Sequence, residues 1–464
     1  MVEKHRRCQA CLFPPGIAHY ITSNMKQHFM RSNKLADYLT ALVLVLVPFH
    51  AFLTVWGSAL VGNYTALRLW DDAVLVLLMG ISCFWIAKDA ALRQWFTGSL
   101  LVRLIFAYGA LTLLLGLVSW LKGDVTPKAL AYGVLVNLRF PIWFLTVLLT
   151  AQRSAFLRRN WTRLVLVPAA VVAVFAGLQY TVLPHNFLAH FGYNAQTTIA
   201  PVETINHNAH YIRVQSTLRG ANPLGAYLVI VLSTLGVLFT RGHRRAVCGV
   251  FGAVALFALY ASGSRSAWIG AFLSLATIAW FQLKTRRGRI IFGVIGIGIL
   301  AVGASALLLL RSNTDVQNAV LHTQEHSAVA TSSNSAHLTA LKSGLEDVLH
   351  QPFGDGPGTA GSASAYNAPH PVRIAEDYYV QIAQETGWLG LALFLSILVL
   401  VVMELYAQIG ESRLALVLFA SFVGIAFINL LSHAWSDDTL AFLWWGLAGI
   451  ALAKPLPKGK KPDA

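Results

Sequence analysis

The chain has 464 residues, of which 56% are hydrophobic and only 12% charged, against about a quarter charged in soluble globular proteins. That balance excludes an ordinary soluble domain and points to a polytopic membrane protein. The formal net charge of +15 would suit a nucleic-acid partner, but its placement along the chain argues for membrane topology instead.

The first 34 residues are polar and basic and lack the short apolar core and small-residue cleavage site of a signal peptide, so no cleaved leader is expected. A membrane span needs about 20 mostly apolar residues. Runs of this kind lie at 35–56, 73–88, 100–120, 128–150, 164–183 and 221–240, then at 247–261, 266–283, 290–310, 386–406, 414–432 and 439–453. The predicted architecture is an all-α polytopic membrane protein of about twelve transmembrane helices. A basic cytoplasmic tail covers 1–34, helices one to nine cover 35–310, and a large external loop covers 311–385. Helices ten to twelve follow over 386–453, and a second cytoplasmic tail over 454–464.

Lys and Arg orient this arrangement, because cytoplasmic loops retain the positive charge. The two tails and alternate loops, among them "RSAFLRRNWTR", "RGHRR" and "KTRRGR", carry 24 of the 35 basic residues, and the opposite loops carry nine. Both termini are therefore expected in the cytoplasm, with the long loops outside. The basic balance needs no nucleic acid to explain it. Of the four cysteines (Cys8, Cys11, Cys83 and Cys248), none falls in a predicted external loop, so no disulfide framework is expected. "CQAC" has metal-site spacing but no second pair.

Two external segments, about 184–220 and 311–385, exceed the length of plain connections. In the second, Leu338, Leu341, Leu345 and Val348 recur at helical spacing between a Ser-Asn start and a Pro-Gly stop. They predict an amphipathic helix of about four turns, lying on the membrane. The loop also holds His322, His326, His337, His350 and His370. "HTQEH" places two histidines four apart, as zinc ligands can be, but without the intervening glutamate of the HExxH pattern. They and the acids of the loop, Asp355 in "GDGPG" included, are expected to be solvated.

Charges at a membrane edge are functional candidates by default. Arg265 lies in a tight polar break, "YASGSRSAWIGAF", and Arg213 and Arg219 stand just before the span at 221–240. Asn222-Pro223 opens that span, so its amides are expected to face a bound anion. Arg139 in "VNLRFPIWF" is the deepest charge and is expected either to pair with a buried acid or to line a cavity. In "EDYYVQIAQETGWLGL", Asp377, Gln381 and Glu385 fall on one helical stripe, with Glu376 about a quarter turn away.

Taken together, "RVQSTLRGANPLGAYL", "GSRSAWIG", "LEDVLHQPFGDGPG" and "EDYYVQIAQETGWLGL" resemble, in order, the motifs of the O-antigen ligase and O-antigen polymerase superfamily. The likeness covers about residues 205–406; the first 200 match only in hydropathy. It implies a twelve-span fold in the bacterial inner membrane, with a catalytic loop on the outer side. It further implies transfer of a glycan from an undecaprenyl-diphosphate carrier to a lipid-core or other envelope glycan acceptor, without metal, nucleotide or other cofactor. The family's diphosphate-binding arginines map to Arg213 and Arg265, with Arg219 adjacent. Many members place a His-Asn pair where this chain has Glu376 and Asp377, and the nearest histidine is His370. The expected base is therefore Glu376, with Asp377 orienting it, and His370 as the alternative. Ligase and polymerase differ only in acceptor. A transporter or lipid-carrier flippase is the competing class, and it would bury its charges at mid-membrane between short loops.

Overall fold

The computed structural model describes residues 15–205, 208–242, 244–313, 316–317, 333–368 and 370–454. Cys8, Cys11, His322 and His326 lie outside the described residues. About 78% of the described residues are helical. In order, the elements are α1 (Pro15–Leu46), α2 (His50–Val61), α3 (Tyr64–Arg68), α4 (Trp70–Lys88), α5 (Ala90–Gly98), α6 (Leu100–Lys122), α7 (Pro127–Arg153) and α8 (Phe156–Thr181). A short antiparallel hairpin of β1 (Glu203–Ile205) and β2 (Asn208–Arg213) comes next. Then follow α9 (Ala221–Thr240), α10 (Arg245–Ala261), α11 (Arg265–Gln282), α12 (Arg286–Leu309), α13 (Ser333–His350), α14 (Tyr378–Ala407), α15 (Arg413–Asn429) and α16 (Asp438–Leu452).

Each of the twelve apolar runs is occupied by a helix, the first by α1 and α2 running together through a single turn of 3-10 helix. Seven helical stretches among the described residues are long and apolar enough to cross a membrane: Arg31–Val61, α4, α6, α7, α8, α9 and α14. The helices α10, α15 and α16 are apolar but shorter. The twelve runs are therefore helical, and seven of the helical stretches that fill them are long and apolar enough to span. The sheet is a departure from the all-α reading, since the segment before α9 carries no two-residue alternation long enough to announce a hairpin.

The helices α7 and α9 are buried along most of their length and form the centre of the bundle. On one side α9 packs against α10, α11 and α15, while α7 packs against α4 and α16. Between α11 and α15 the backbones approach at Gly270 and Gly424, where a Cβ on either residue would run into the facing helix. Small residues allow such close contact where no hydrophobic drive separates helix from lipid.

Directions follow from the element order. The starts of α9, α11 and α14 and the end of α15 share one end of the bundle. The basic turns before α10 and α12 lie at the other end, as the charge distribution requires. The amphipathic helix predicted in the long loop is α13, and it packs against α14. Leu338, Leu345 and Leu349 on it remain exposed.

The motif "HQPFGDGPG" is docked into a kink in α14. Gly387 has φ of +66°, and a side chain there would collide with the backbone of Pro352 and Phe353. Glycine adopts this conformation without steric cost, so the helix breaks its regular hydrogen bonding here. The released carbonyls of Gln384 and Glu385 accept from Asp355 N and Gly356 N, both at 2.9 Å. Glu385 is fully buried, accepting from Gly358 N at 2.8 Å and from Asn137 Nδ2 at 2.7 Å. It thereby ties the Gly-rich turn to both α14 and α7. Asp355 also departs from its expected solvation, accepting from Arg373 Nη1 at 2.5 Å.

Candidate functional site

At the end of the bundle where α9, α11 and α14 begin, Arg213, Arg265, His337 and Glu376 line a single cleft of about 470 Å³. Four elements far apart in sequence bring them together: the end of β2, the first turn of α11, the first turns of α13 and the residue preceding the N-cap of α14. Its rim includes Ile269, Leu338, Leu430 and Leu431, all exposed apolar residues.

The arginines are positioned by backbone. Arg213 Nε donates to Ser262 O at 3.0 Å and Nη2 to Asn222 Oδ1 at 2.5 Å. Its aliphatic stem lies against Gly263, whose φ of +59° forms the break between α10 and α11 and whose missing Cβ leaves room for that stem. The Glu203 carboxylate stands 3.9 Å from Arg213 Nη1. Burial draws the Arg213 guanidinium below its ordinary value, and Glu203 opposes that pull. Arg265 feels the positive charge of Arg213, so two like charges converge on one cleft. Arginine suits such a place because its planar fork pairs bidentately with phosphate oxygens.

The first amide of α9 faces an anion of the chain itself. Glu203 Oε1 accepts from Ala221 N at 3.1 Å, so the chain's own carboxylate occupies the helix start, which its dipole favours. The hairpin, missed from sequence, is what delivers Glu203 to that position.

On the opposite wall Glu376 Oε2 lies 3.5 Å from His337 Nδ1. Glu376 has φ of +58°, a left-handed conformation rare for a residue with a side chain, and such strain gathers at functional sites. His433, in the turn between α15 and α16, lies within electrostatic reach of His337. Burial lowers its pKa to about 4, with a smaller push from His337, so it stays neutral. His337 escaped notice in the sequence because it stood among five histidines of one loop. The signal was present: it adjoins Leu338 and lies four residues before Leu341, on the α13 face that lines the cleft.

Of the six residues expected in the site, Arg213, Arg265 and Glu376 line the cleft and Arg219, His370 and Asp377 do not. Asp377 is buried and caps α14, its Oδ1 accepting from Val380 N at 2.9 Å. Burial pushes its carboxyl above the usual range, against the backbone amides that bind it. A carboxylate committed to a cap is not placed to orient Glu376. His370 is exposed and joins the preceding turn through its amide, which donates to Asn367 O at 2.8 Å. Arg219 is exposed and acts electrostatically on Tyr132 and His50, members of a different cluster.

That second cluster is buried. Arg139 on α7 pairs with Asp438 at the start of α16 and has Asp72 of α4 at 3.9 Å. His50 lies between Asp71 and Asp438, 3.5 Å from each. Arg68 reaches Asp438 at 3.5 Å and donates to the Tyr132 hydroxyl at 2.6 Å. Arg139 therefore takes the first of its two expected roles, pairing with buried acids.

Residues 250–395, from within α10 to within α14, match the model of the O-antigen ligase family. That match supports membership of the O-antigen ligase superfamily. It takes in Arg265, His337, Glu376 and the docked Gly-rich turn, and it stops short of Arg213. Among curated proteins none matches the chain. With the apolar helices, the match supports a membrane enzyme of the O-antigen ligase or polymerase type.

Proposed function

We propose that this protein transfers a glycan from an undecaprenyl-diphosphate carrier to a hydroxyl of an envelope glycan, on the outer side of the bacterial inner membrane. The observation that carries this reading is the convergence of Arg213 and Arg265 in one cleft whose rim is apolar. A lipid-linked diphosphate has matching parts: an anionic head for the guanidiniums and a prenyl chain for Ile269, Leu338, Leu430 and Leu431.

In the reaction an acceptor oxygen bonds to the anomeric carbon as the bond from that carbon to the carrier diphosphate breaks. Charge builds on the departing diphosphate, and Arg213 and Arg265 stabilise it by electrostatics and charge-assisted hydrogen bonds. The acceptor proton passes to His337. An imidazole is the side chain whose ordinary titration lies closest to neutrality, as a general base requires. Glu376, 3.5 Å from its Nδ1, orients the ring and balances the imidazolium that forms. Glu376 thus keeps a place in the catalytic pair, with His337 rather than His370 as its histidine. The termini and the basic turns are then cytoplasmic.

The test is transfer by the purified full chain from a defined undecaprenyl-diphosphate glycan to candidate glycan acceptors. His337→Ala and Glu376→Gln are each expected to bind donor and lose most turnover. Normal turnover in His337→Ala would return the proton to another group, and absence of transfer with any donor would remove the reading itself. Topology is tested separately with Arg159→Cys and Gln196→Cys, placed singly in a cysteine-free background. An impermeant thiol reagent is expected to label only Gln196→Cys from outside, and labelling of both from one side would overturn the orientation.

A further inference from the structure

A second cleft, of about 430 Å³, lies on the other face of α13, lined in part by Thr339, Ser343, Asp347, Gln384, Ala340 and Ala375. The two clefts share their dividing wall. On α13, His337 and Leu338 face the first cleft while Thr339 and Ala340 face the second. On the strap leading into α14, Glu376 lines the first and Ala375 the second. The pair of Glu376 and His337 therefore stands at the boundary.

The chemistry of the two linings differs. The cation of the second cleft, Arg373, is already neutralised: its Nη2 lies 3.0 Å from Asp347 Oδ2 and its Nη1 2.5 Å from Asp355 Oδ2. No excess positive charge is left for a phosphate. What remains is acceptor capacity. Arg373 Nε and Gln384 Nε2 both donate to Asp347 Oδ2, at 3.1 and 2.8 Å, and Asp347 Oδ1 takes neither bond. Gln384 is 2% exposed, and its Oε1 has no hydrogen-bond partner among the described residues. A buried polar atom left unsatisfied is costly, and a bound donor would recover that cost. The hydroxyls of Thr339 and Ser343 serve as donor or acceptor, and the half-buried Ala340 provides small apolar surface.

We propose that this second cleft is the acceptor subsite and takes an uncharged sugar ring. Ring hydroxyls donate to Asp347 Oδ1 and Gln384 Oε1, and the C–H face of the ring lies on Ala340. The inference rests on the first cleft being the donor site. With the diphosphate held there, the nucleophile approaches the anomeric carbon from the side opposite the leaving group. The second cleft offers that approach, and an acceptor lying in it presents its hydroxyl across His337 and Glu376.

The experiment fills the second cleft without touching the first. Thr339→Tyr and Ser343→Trp, both at exposed positions, are assayed as full-length protein with a fixed lipid-diphosphate donor and a neutral hexose oligosaccharide acceptor. The acceptor KM is expected to rise at least tenfold in each, with donor KM unchanged. Independently of turnover, the same oligosaccharide is expected to slow thiol labelling of Ser343→Cys in a cysteine-free background. An unchanged acceptor KM in both filled variants overturns the subsite, as does labelling that the oligosaccharide leaves unaffected. A donor KM that rises with the acceptor's assigns the cleft to the donor glycan instead. If the unaltered protein transfers nothing, the donor-site reading fails and the subsite falls with it.

Discussion

Two groups of charges sit in this molecule, and they are built on opposite terms. In the buried cluster two guanidiniums, Arg68 and Arg139, share three carboxylates and a histidine drawn from α2, α4 and α16. In the cleft two guanidiniums, Arg213 and Arg265, line one volume, with Glu376 as the carboxylate among its lining residues. Arg213 is held mainly by a carbonyl and an amide oxygen, and its nearest carboxylate oxygen stands at 3.9 Å. A cluster that carries its own counter-charges has no need of a ligand. A concave site lined by two guanidiniums and rimmed by apolar residues is where the proposed lipid-linked donor would sit.

The comparison is broken most directly at Arg265. Replacing it by alanine is expected to lower kcat by a factor of about 10²–10³, the usual effect of deleting one group that stabilises a leaving anion. Arg265→Lys is expected to recover little of that, because an ammonium cannot reproduce the bidentate fork. Detergent melting curves of both variants are expected to match the parent protein. Activity retained in Arg265→Ala and Arg213→Ala would remove the distinction between the two groups. Arg139→Met tests the other side. It leaves Asp438 and Asp72 buried without their main partner, a change that costs about 3–5 kcal/mol. Yield and thermal stability are expected to fall sharply, while the protein that does fold keeps its donor KM.

A smaller structural effect is expected at the docked turn. Gly358 has φ of +93°, and a Cβ there would strike the backbone of Ala129 on α7. Gly358→Ala is expected to destabilise by about 1–3 kcal/mol, the range for a strained backbone position. The measurement is the same melting curve, with added loss of turnover if the strap before α14 shifts.

How much of this was legible beforehand differs between fold and site. The helices were legible because apolar length is a local property, and all twelve runs became helices. Arg213 and Arg265 were legible because each stands on the side otherwise poor in positive charge. The roles of Glu385 and Gly387 were not, since one depends on Asn137 and Gly358 and the other on Pro352, partners remote in sequence. Asp377 resembled a catalytic acid because a cap and a catalytic carboxylate look alike at a helix start. His337 was hidden for the converse reason: its partner, Glu376, lies across the whole of α13 and the docked turn. The hairpin that positions Glu203 is three residues on one strand, too short for any periodicity to declare.

The mildest expected effect concerns His433, which follows the cleft residues Leu430 and Leu431 in the chain and belongs to the buried kind by chemistry. Its pKa falls from 6.5 to about 4, first through burial and then through His337. Between those values the unfolded chain binds a proton that the folded chain does not, so stability rises with pH across that window. Above about 6.5 the contribution is fully present, and acidification toward 4 removes it. His433→Gln removes the titrating group, so the drop in melting temperature between pH 7 and pH 5 is expected to shrink while the value at pH 7 changes little. An unchanged pH dependence would mean that His433 is protonated as readily in the folded protein as in the unfolded chain. The turn between α15 and α16 would then carry a positive charge within electrostatic reach of His337, and the contrast with the self-neutralised cluster would be wider still.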